Sequence, residues 1–408
     1  MAYALWLIQP SADRRDRAFV TDDYMADHFT LFGMAGSLFT AKVRAYMRKN
    51  KIEFTEITAG AERYRNEIAP KINRWIIPVI ETPDGTLIQD GTDILDYFER
   101  AGYSKASIYP QTPRQRAAAH LFELFGSEGM MRPAMYYRWN FDEINLPYLR
   151  LTFRDVLPPE LDGDALETAF QFVTGRMRKA AGFFGANDDT ASTIEESYTE
   201  FLRLFEAHLS TTPYLLGHRP TIGDYALLGP LYPHLGRDPA PLHLMQKIAP
   251  NVFRWTERMN IREGVSDAME SADNRALFAD DDIPDTLVAL MKYIAEDYLP
   301  ELRAHIEYAN AWLQENPDVK AGENGLNKPS SRAMGFASFS WRGHEISTSV
   351  MMYRFYLQQR LHQAVADMSA SDQDAVVQML DDVGLRDVLE LKTTRPVLRK
   401  NHIEVWGE

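Results

Sequence analysis

Cysteine is absent from this chain of 408 residues. Its absence excludes disulfide bonds, thiolate zinc sites, iron–sulfur clusters and a cysteine nucleophile. If the protein carries out thiol chemistry, the sulfur therefore belongs to a ligand. We predict a cytoplasmic location, with which the missing cysteines agree, although they agree equally with an oxidising compartment.

Long apolar runs and an excess of basic residues are lacking as well. No apolar stretch reaches the ~18 residues of a membrane-spanning helix, and the first ten residues have no basic residue before their apolar run, unlike a secretory signal. Lys and Arg number 44 against 58 Asp and Glu, which gives a formal charge of −14. This balance argues against a surface for nucleic-acid phosphates or anionic lipid. We therefore expect no nucleic-acid partner and no membrane partner.

Several catalytic motifs are missing too. The ten histidines include no H-E-x-x-H pair and no pair at metal-binding spacing close to carboxylates, so no metal site is predicted. There is no G-x-S-x-G elbow and no Walker phosphate loop. The acidic run Asp280-Asp281-Asp282 is interpreted as a solvated linker, because no further ligand pattern follows it.

An α/β pattern follows a polar segment at residues 1–28, which we interpret as an N-terminal arm. Residues 29–105 have the order βαβ, α, ββ and α. Phe29–Phe32 and Phe54–Thr58 are the first two predicted strands, and Pro83-Asp84-Gly85-Thr86 is a hairpin turn between the last two. This order predicts one compact unit with two parallel strands and an antiparallel hairpin.

The remainder of the chain is predicted to be mainly helical. Residues 110–275 form a helical domain, and residues 284–408 form a C-terminal extension of unknown role. In the extension we predict one helix around Leu287–Leu313 and a closing strand within Arg395–Trp406. The mixed stretch at Phe336–Trp341 is interpreted as added core, and the alternative is a binding strand.

Five short stretches over roughly residues 29–270 carry a family pattern, because both their order and their spacing match it. They are Ser37-Leu-Phe-Thr-Ala-Lys-Val-Arg44, Ile76-Ile-Pro-Val-Ile80, Gln89-Asp-Gly-Thr-Asp-Ile-Leu-Asp-Tyr97, Thr221-Ile-Gly-Asp224 and Pro250-Asn-Val-Phe-Arg-Trp255. Together they resemble the serine-type glutathione S-transferases. The resemblance implies a thioredoxin-like α/β N-terminal domain followed by an all-α C-terminal domain. Residues 284–408 lie outside it.

The resemblance implies a catalytic role for Ser37. A free thiol has a pKa near ~8.5, and the thiolate is the nucleophile. A hydroxyl at a helix N-terminus can donate a hydrogen bond to the sulfur anion, and the helix dipole adds positive potential. We therefore expect Ser37 to stabilise the thiolate of glutathione as co-substrate. The alternative is that Ser37 only caps its helix, and Thr40 is a less favoured hydroxyl one turn later.

Glutathione-binding residues are implied at Ile77, Pro78, Asp90 and Gly91. If the bond before Pro78 is cis, the backbone of Ile77 can pair with the cysteinyl part of glutathione like an added strand. Asp90, before a helix, can hold the α-ammonium of the γ-glutamyl group. The alternatives are a rigid turn at Pro78 and a simple helix cap at Asp90.

Two departures from the family pattern affect this site. Gly91 stands where the family usually has Ser, and Ile76 replaces a residue that is commonly polar. One lost charge-assisted hydrogen bond costs ~1.5–3 kcal/mol, so glutathione affinity is expected to fall about tenfold to a hundredfold. Otherwise residues such as Arg74 compensate, or the ligand differs.

An electrophile site is expected between the two domains. The run from Gly129 to Phe141 is rich in methionine and aromatic residues, which suit apolar or aromatic molecules. We take Met131, Met135, Tyr136 and Trp139 from it as a candidate substrate pocket. The alternative for these residues is the core or a dimer interface.

The predicted function is attack of enzyme-stabilised glutathione thiolate on a small electrophile, in a homodimer that the resemblance implies. Two other functions remain open. One is glutathione-dependent ether cleavage, dehalogenation or isomerisation on the same scaffold. The other is a non-catalytic binding or assembly protein with this fold.

Overall fold

The computed structural model describes residues 28–262, 275–328 and 330–408. The predicted arm at 1–28 therefore lies outside the described residues, except for His28. The predicted domain boundaries stay predictions.

A mixed four-stranded sheet with the strand order β2-β1-β3-β4 confirms the predicted thioredoxin-like domain. Its strands are β1 (Phe29–Gly33), β2 (Phe54–Thr58), β3 (Val79–Glu81) and β4 (Leu87–Gln89). Strand β1 is parallel to β2 and antiparallel to β3, and β4 is antiparallel to β3, as the order of elements predicted. Strand β3 begins directly after Pro78, which has no N–H to give to a ladder.

Three helices flank this sheet, and side chains just before two of them satisfy their first N–H groups. They are α1 (Leu38–Lys49), α2 (Ala69–Lys71), which continues a π-helical turn at Tyr64–Ile68, and α3 (Gly91–Arg100). Ser37 caps α1 and Asp90 caps α3. Such caps replace hydrogen bonds that a helix start lacks. The helices bury apolar faces against the sheet, where Phe29 packs edge-on against Phe98 at 5.1 Å.

The following segment is all helical, as predicted. Its helices are α4 (Pro113–Leu124), α5 (Met131–Trp139), α6 (Asp142–Phe153), α7 (Gly163–Gly182), α8 (Ala191–Leu209), α9 (Ile222–Leu231), α10 (Pro239–Ile248) and α11 (Pro250–Asn260). A π-helical turn at Phe125–Gly129 joins α4 to α5. The predicted capping box at the start of α9 is present, since Thr221 and Asp224 bond each other's backbone.

The predicted long helix at Leu287–Leu313 is wrong in one respect, because it is two helices. They are α12 (Asp285–Asp297) and α13 (Leu299–Glu315), and Tyr298 lies between them. Pro300 explains the break, since proline is favoured in the first turn of a helix but not inside one.

The mixed stretch at Phe336–Trp341 belongs to a hairpin that the sequence analysis did not identify. It lies in β5 (Ala333–Trp341), which pairs with β6 (His344–Met351) in antiparallel register. Ala337, Phe339 and Trp341 are buried as predicted for a core segment, whereas Phe336 is half exposed.

The rest of the extension contains three helices and a second hairpin. They are α14 (Met352–Ala366), α15 (Ala370–Asp382), α16 (Asp387–Glu390), β7 (Val397–Lys400) and β8 (Ile403–Trp406). The predicted closing strand is therefore β8, paired with β7.

The extension packs on both preceding parts of the chain. Helix α14 lies against α4, and its polar side chains contact α3. A buried ion pair at 2.6 Å joins Arg132 of α5 to Glu301 of α13. Among the described residues, no helix is both long and apolar enough to span a bilayer.

Candidate functional site

One end of the sheet brings together the candidate residues Ser37, Pro78 and Asp90. In the sheet register, Phe32 faces Val79, and Val79 faces Gln89. Directly opposite residues in antiparallel strands lie about 5 Å apart at their Cα atoms. The chain therefore leaves β1 toward Ser37, enters β3 from Pro78 and leaves β4 into Asp90 at the same end. We call this end of the sheet the candidate site.

Ser37 is half-buried at the N-terminus of α1. It has extended backbone angles, and its Oγ accepts a hydrogen bond from Thr40 N at 3.2 Å. That bond uses a lone pair of the hydroxyl, so its proton remains available to an acceptor. The hydroxyl of Thr40 is in a different environment, because it is buried and has no hydrogen-bond partner among the described residues.

The Ile77–Pro78 peptide bond is cis, as predicted. The neighbouring residue Ile76 exchanges two hydrogen bonds with the hydroxyl of Tyr64, at 2.6 and 3.1 Å. Within the described part of the chain, the backbone N–H and C=O of Ile77 have no such partner. Both groups can therefore pair with an extended ligand, which is how a peptide adds to a sheet edge.

Asp90 caps α3 and is buried, with a φ of +93°. Its Oδ1 accepts hydrogen bonds from Thr92 N at 2.8 Å, Asp93 N at 3.4 Å and the Tyr353 hydroxyl at 2.8 Å. Its Oδ2 has no hydrogen-bond partner among the described residues and is not fully enclosed. One oxygen of this carboxylate is therefore held by the protein, and the other is left for a donor.

Nearby cations keep Asp90 ionised. Burial alone would raise the pKa of the Asp90 carboxyl, but the charges of Arg399 and then Lys42 outweigh burial and hold that pKa below its ordinary value. Lys42 is itself buried in α1 and donates to Thr92 Oγ1 at 2.9 Å. A permanently charged carboxylate with a free oxygen suits an ammonium ligand.

Gly91 leaves space beside Asp90. A Cβ placed on Gly91 would lie 3.6 Å from both Lys42 Cδ and Phe39 O, which is ordinary van der Waals contact. A serine side chain would therefore meet no steric conflict at its first atom. The absence of a side chain at this position therefore does not reflect lack of room for a Cβ.

The C-terminal extension covers the start of α3 with four polar side chains. These are Tyr353, Tyr356, Arg360 and Arg399. Arg399 Nε contacts Asp93 Oδ2 at 2.7 Å, and Arg360 Nη1 contacts Asp96 Oδ2 at 2.7 Å. The extension is therefore part of the wall of the candidate site.

Arg74, the candidate for compensating the missing serine hydroxyl, is bound by the extension. Its Nη1 donates to the backbone oxygen of His402 at 2.6 Å and lies 3.6 Å from Glu404. Binding a ligand would require it to give up these contacts.

A cavity of about 10 Å³ lies between the first turns of α1 and the helical domain. This volume holds about one water molecule. We call it the interdomain cavity, and its lining consists of Leu38, Phe39, Lys42, Gly126, Ser127, Met131, Ala226, Gly229 and Pro230. The π-helical turn at Phe125–Gly129 contributes two of these residues, and such turns are frequent at functional sites.

Only one of the four predicted substrate-pocket residues lines the interdomain cavity. Met131 lines the interdomain cavity. Met135, Tyr136 and Trp139 are buried and are absent from its lining, and the Tyr136 hydroxyl bonds Glu195 Oε1 at 2.6 Å. The substrate role of all four stays a prediction.

Two residues of the site carried no assigned role in the sequence analysis. Lys42 lies inside the first family stretch, so the sequence places it near the site. The sequence does not indicate that Lys42 is buried beside Thr92. Tyr353 reaches Asp90 across 263 residues of sequence, and no local pattern signals that contact. Among the described residues, no group of His, Asp and Glu has an arrangement that could hold a metal ion.

Two family models match separate parts of the chain. Residues 31–104 match the model described as glutathione S-transferase, N-terminal domain. Residues 169–263 match the model described as glutathione S-transferase, C-terminal domain. The candidate site lies within the first match, and the extension lies outside both.

Glutathione S-transferase F14 of Arabidopsis thaliana is 35% identical over 78 residues. Those residues are 19% of this chain and 31% of the plant protein, so the chain spans about a third of the length of this curated relative.

Solved structures with some likeness include a glutathione S-transferase from Rhodospirillum rubrum F11, at 15% identity and a TM-score of 0.38, covering 64% of this chain and 99% of that one. The β-etherase LigF from Sphingobium sp. strain SYK-6 has 15% identity and a TM-score of 0.41, covering 57% of this chain and 95% of that one.

Proposed function

Residues 31–104 and 169–263 place this chain in the glutathione S-transferase family, and on that premise we propose that it binds glutathione at the candidate site and transfers its thiolate to a small electrophile. Glutathione, when bound, supplies the thiol that becomes the nucleophile. The observation that carries the proposal is the meeting of a free Ser37 hydroxyl proton, free Ile77 backbone groups and a free Asp90 oxygen at one end of the sheet.

Ser37 acts on the sulfur in this proposal. Its hydroxyl donates to the thiolate, while the N-terminal end of the α1 dipole adds positive potential. Hydrogen bonding to the charged form lowers the pKa of a thiol. The protein therefore raises the fraction of nucleophilic thiolate at neutral pH.

The other two groups hold the peptide. Ile77 offers its N–H and C=O to the cysteinyl backbone, and Asp90 offers Oδ2 to the α-ammonium. The chemistry of this set fits glutathione, which carries one ammonium group and an extended peptide backbone. Gly91 supplies a backbone N–H at the α3 start in place of the usual serine hydroxyl.

A second candidate function is ligand binding or assembly without turnover. The size of the interdomain cavity favours it, because about 10 Å³ holds about one water molecule. This function keeps glutathione binding at Asp90 but needs no thiolate at Ser37.

Ultraviolet absorbance of the thiolate near ~240 nm, followed against pH with glutathione bound, separates the two functions. The enzyme predicts a bound thiol that ionises well below its free pKa of ~8.5, and a return toward that value in Ser37→Ala. Ser37→Gly gives a second variant, because glycine preserves most of the cap. Thr40→Val is the matched control and is expected to change nothing, since the Thr40 hydroxyl has no partner.

Glutathione binding with an unshifted thiol would contradict the transferase and support the binding protein. Absence of glutathione binding to the unmodified chain would contradict both.

A further inference from the structure

We propose that Tyr353, from the C-terminal extension, is a positioning residue for glutathione. Its hydroxyl fixes the Asp90 carboxylate so that Oδ2 faces the α-ammonium of the ligand. This inference rests on the proposed binding of glutathione and assigns to residues 284–408 a part in that site.

The geometry of the carboxylate supports this role. The Tyr353 hydroxyl lies 2.8 Å from Asp90 Oδ1 and 3.2 Å from Thr92 Oγ1. With the Thr92 and Asp93 N–H groups on the same oxygen, three donors hold Oδ1. A carboxylate held at one oxygen has a fixed direction for the lone pairs of the other.

Tyr353 is suited to remain a donor. The side chain is 4% exposed, and burial, followed by the charge of Asp90, raises its pKa well above 10. The phenol therefore stays protonated at neutral pH and donates its proton to the carboxylate.

The position of the ring is fixed by its neighbours. The guanidinium groups of Arg332 and Arg399 lie 5.6 and 6.0 Å from the ring centre. One and two turns along α14, Tyr356 and Arg360 hydrogen-bond Asp93 and Asp96 of α3. These contacts hold the helix that carries Tyr353 against the helix that Asp90 caps.

Tyr356 provides a matched control within the same helix. Its hydroxyl lies 2.7 Å from Asp93 Oδ1, so Tyr356→Phe removes a comparable hydrogen bond from the neighbouring carboxylate. Tyr353→Phe and Tyr356→Phe each delete one oxygen atom, but only the first deletion affects Asp90.

The test is calorimetric titration of the full chain with two ligands. One is glutathione, and the other is the analogue in which a hydrogen atom replaces the α-ammonium group. Tyr353→Phe is expected to bind glutathione about five- to tenfold more weakly than the unmodified chain, as loss of one oriented hydrogen bond implies. Its affinity for the analogue should not change, and Tyr356→Phe should bind both ligands like the unmodified chain.

An equal loss for both ligands, or no loss for glutathione, would overturn the positioning role. If Tyr353→Phe does not fold, the ring ¹³Cζ resonance of Tyr353 in the unmodified chain replaces it. That resonance should shift with glutathione and stay in place with the analogue, and the same shift with both ligands would overturn the proposal.

In this experiment, failure of the proposed function can be distinguished from failure of the Tyr353 inference. It would appear as no glutathione binding to the unmodified chain, or as binding that Asp90→Asn leaves unchanged. Glutathione binding that depends on Asp90 but not on Tyr353 would overturn the inference alone.

Discussion

The candidate site and the extension that covers it use their polar groups in opposite ways. In the site, the Ser37 proton and Asp90 Oδ2 have no partner among the described residues. In the extension, Arg399 places Nε on Asp93, Nη1 on Glu404 and Nη2 on the Gln89 side chain, at 2.6–2.7 Å. The N-terminal domain therefore keeps groups for a ligand, whereas the extension supports that domain.

The largest expected effect is the loss of unfolding free energy when Arg399 is removed. Arg399→Ala removes a guanidinium that is 8% exposed and leaves Glu404, which is 5% exposed, without its nearest cation. Removing one partner of a buried ion pair costs about 3–5 kcal/mol of unfolding free energy. Denaturant unfolding followed by tryptophan fluorescence measures this loss.

Arg386→Ala is the control for that measurement. Arg386 pairs with Glu390 on the surface of the same extension, where both side chains are about half exposed. No measurable change is expected, because surface pairs contribute little. Equal effects of the two substitutions would contradict the supporting role of Arg399.

A second expected effect is a pH dependence of the unfolding free energy, caused by a histidine at the contact between the helical domain and the extension. His208 of α8 is buried with Nδ1 2.9 Å from Thr286 Oγ1, and burial lowers its pKa from 6.5 to about 4. Between these values the unfolded chain binds a proton that the folded chain does not. The unfolding free energy should therefore fall as the pH drops from 6.5 to 4, by about 3 kcal/mol from this residue.

His208→Gln should reduce that pH dependence by about one proton, as measured by denaturant unfolding at several pH values. The variant should retain part of the pH dependence, because burial lowers the pKa of His234 and His305 as well. An unchanged slope in the variant would show that His208 is not held neutral at this contact.

The smallest expected effect is a change in glutathione affinity at Gly91. Gly91→Ser adds a hydroxyl in a space that accommodates its Cβ. We expect glutathione affinity to rise by about fivefold, since one added hydrogen bond contributes about 1 kcal/mol. Calorimetric titration checks this value.

Gly91→Ala is the matched control, because it fills the same space without a hydroxyl. It is expected to leave the affinity unchanged. A gain in Gly91→Ala equal to that in Gly91→Ser would assign the effect to a more rigid α3 start.

Local signals explain why the N-terminal domain could be predicted from the sequence. The Phe54–Thr58 strand, the helix caps at Ser37 and Asp90 and the turn at Pro83–Thr86 each depend on a few neighbouring residues. The family stretches then placed these elements in one fold. Hence the position of the candidate residues at one end of the sheet followed from the order of strands.

The extension resisted prediction where its structure depends on unusual turns. Hairpin β5–β6 turns at Arg342 and Gly343, which have φ values of +46° and +86°. A two-residue turn with both φ values positive usually carries Asn or Asp before Gly. Arg342 does not indicate such a turn. The sequence therefore indicated only a mixed stretch at Phe336–Trp341 and not a hairpin.

Long-range contacts were the other limit. Neither the ring position of Tyr353 nor the pairing of Arg399 with Asp93 follows from residues near them in sequence, because the partners are 263 and 306 residues apart. The Met-rich run showed a related limit, since composition could not separate Met131, at the interdomain cavity, from the buried Met135.

A crystal structure of the full chain with glutathione would show whether Asp90 and Ser37 hold the ligand. We predict the α-ammonium within hydrogen-bond distance of Asp90 Oδ2, the sulfur beside Ser37 Oγ, and Tyr353 still bonded to Asp90 Oδ1. Glutathione bound away from Asp90, or a site without glutathione at saturating concentration, would contradict the proposed binding site.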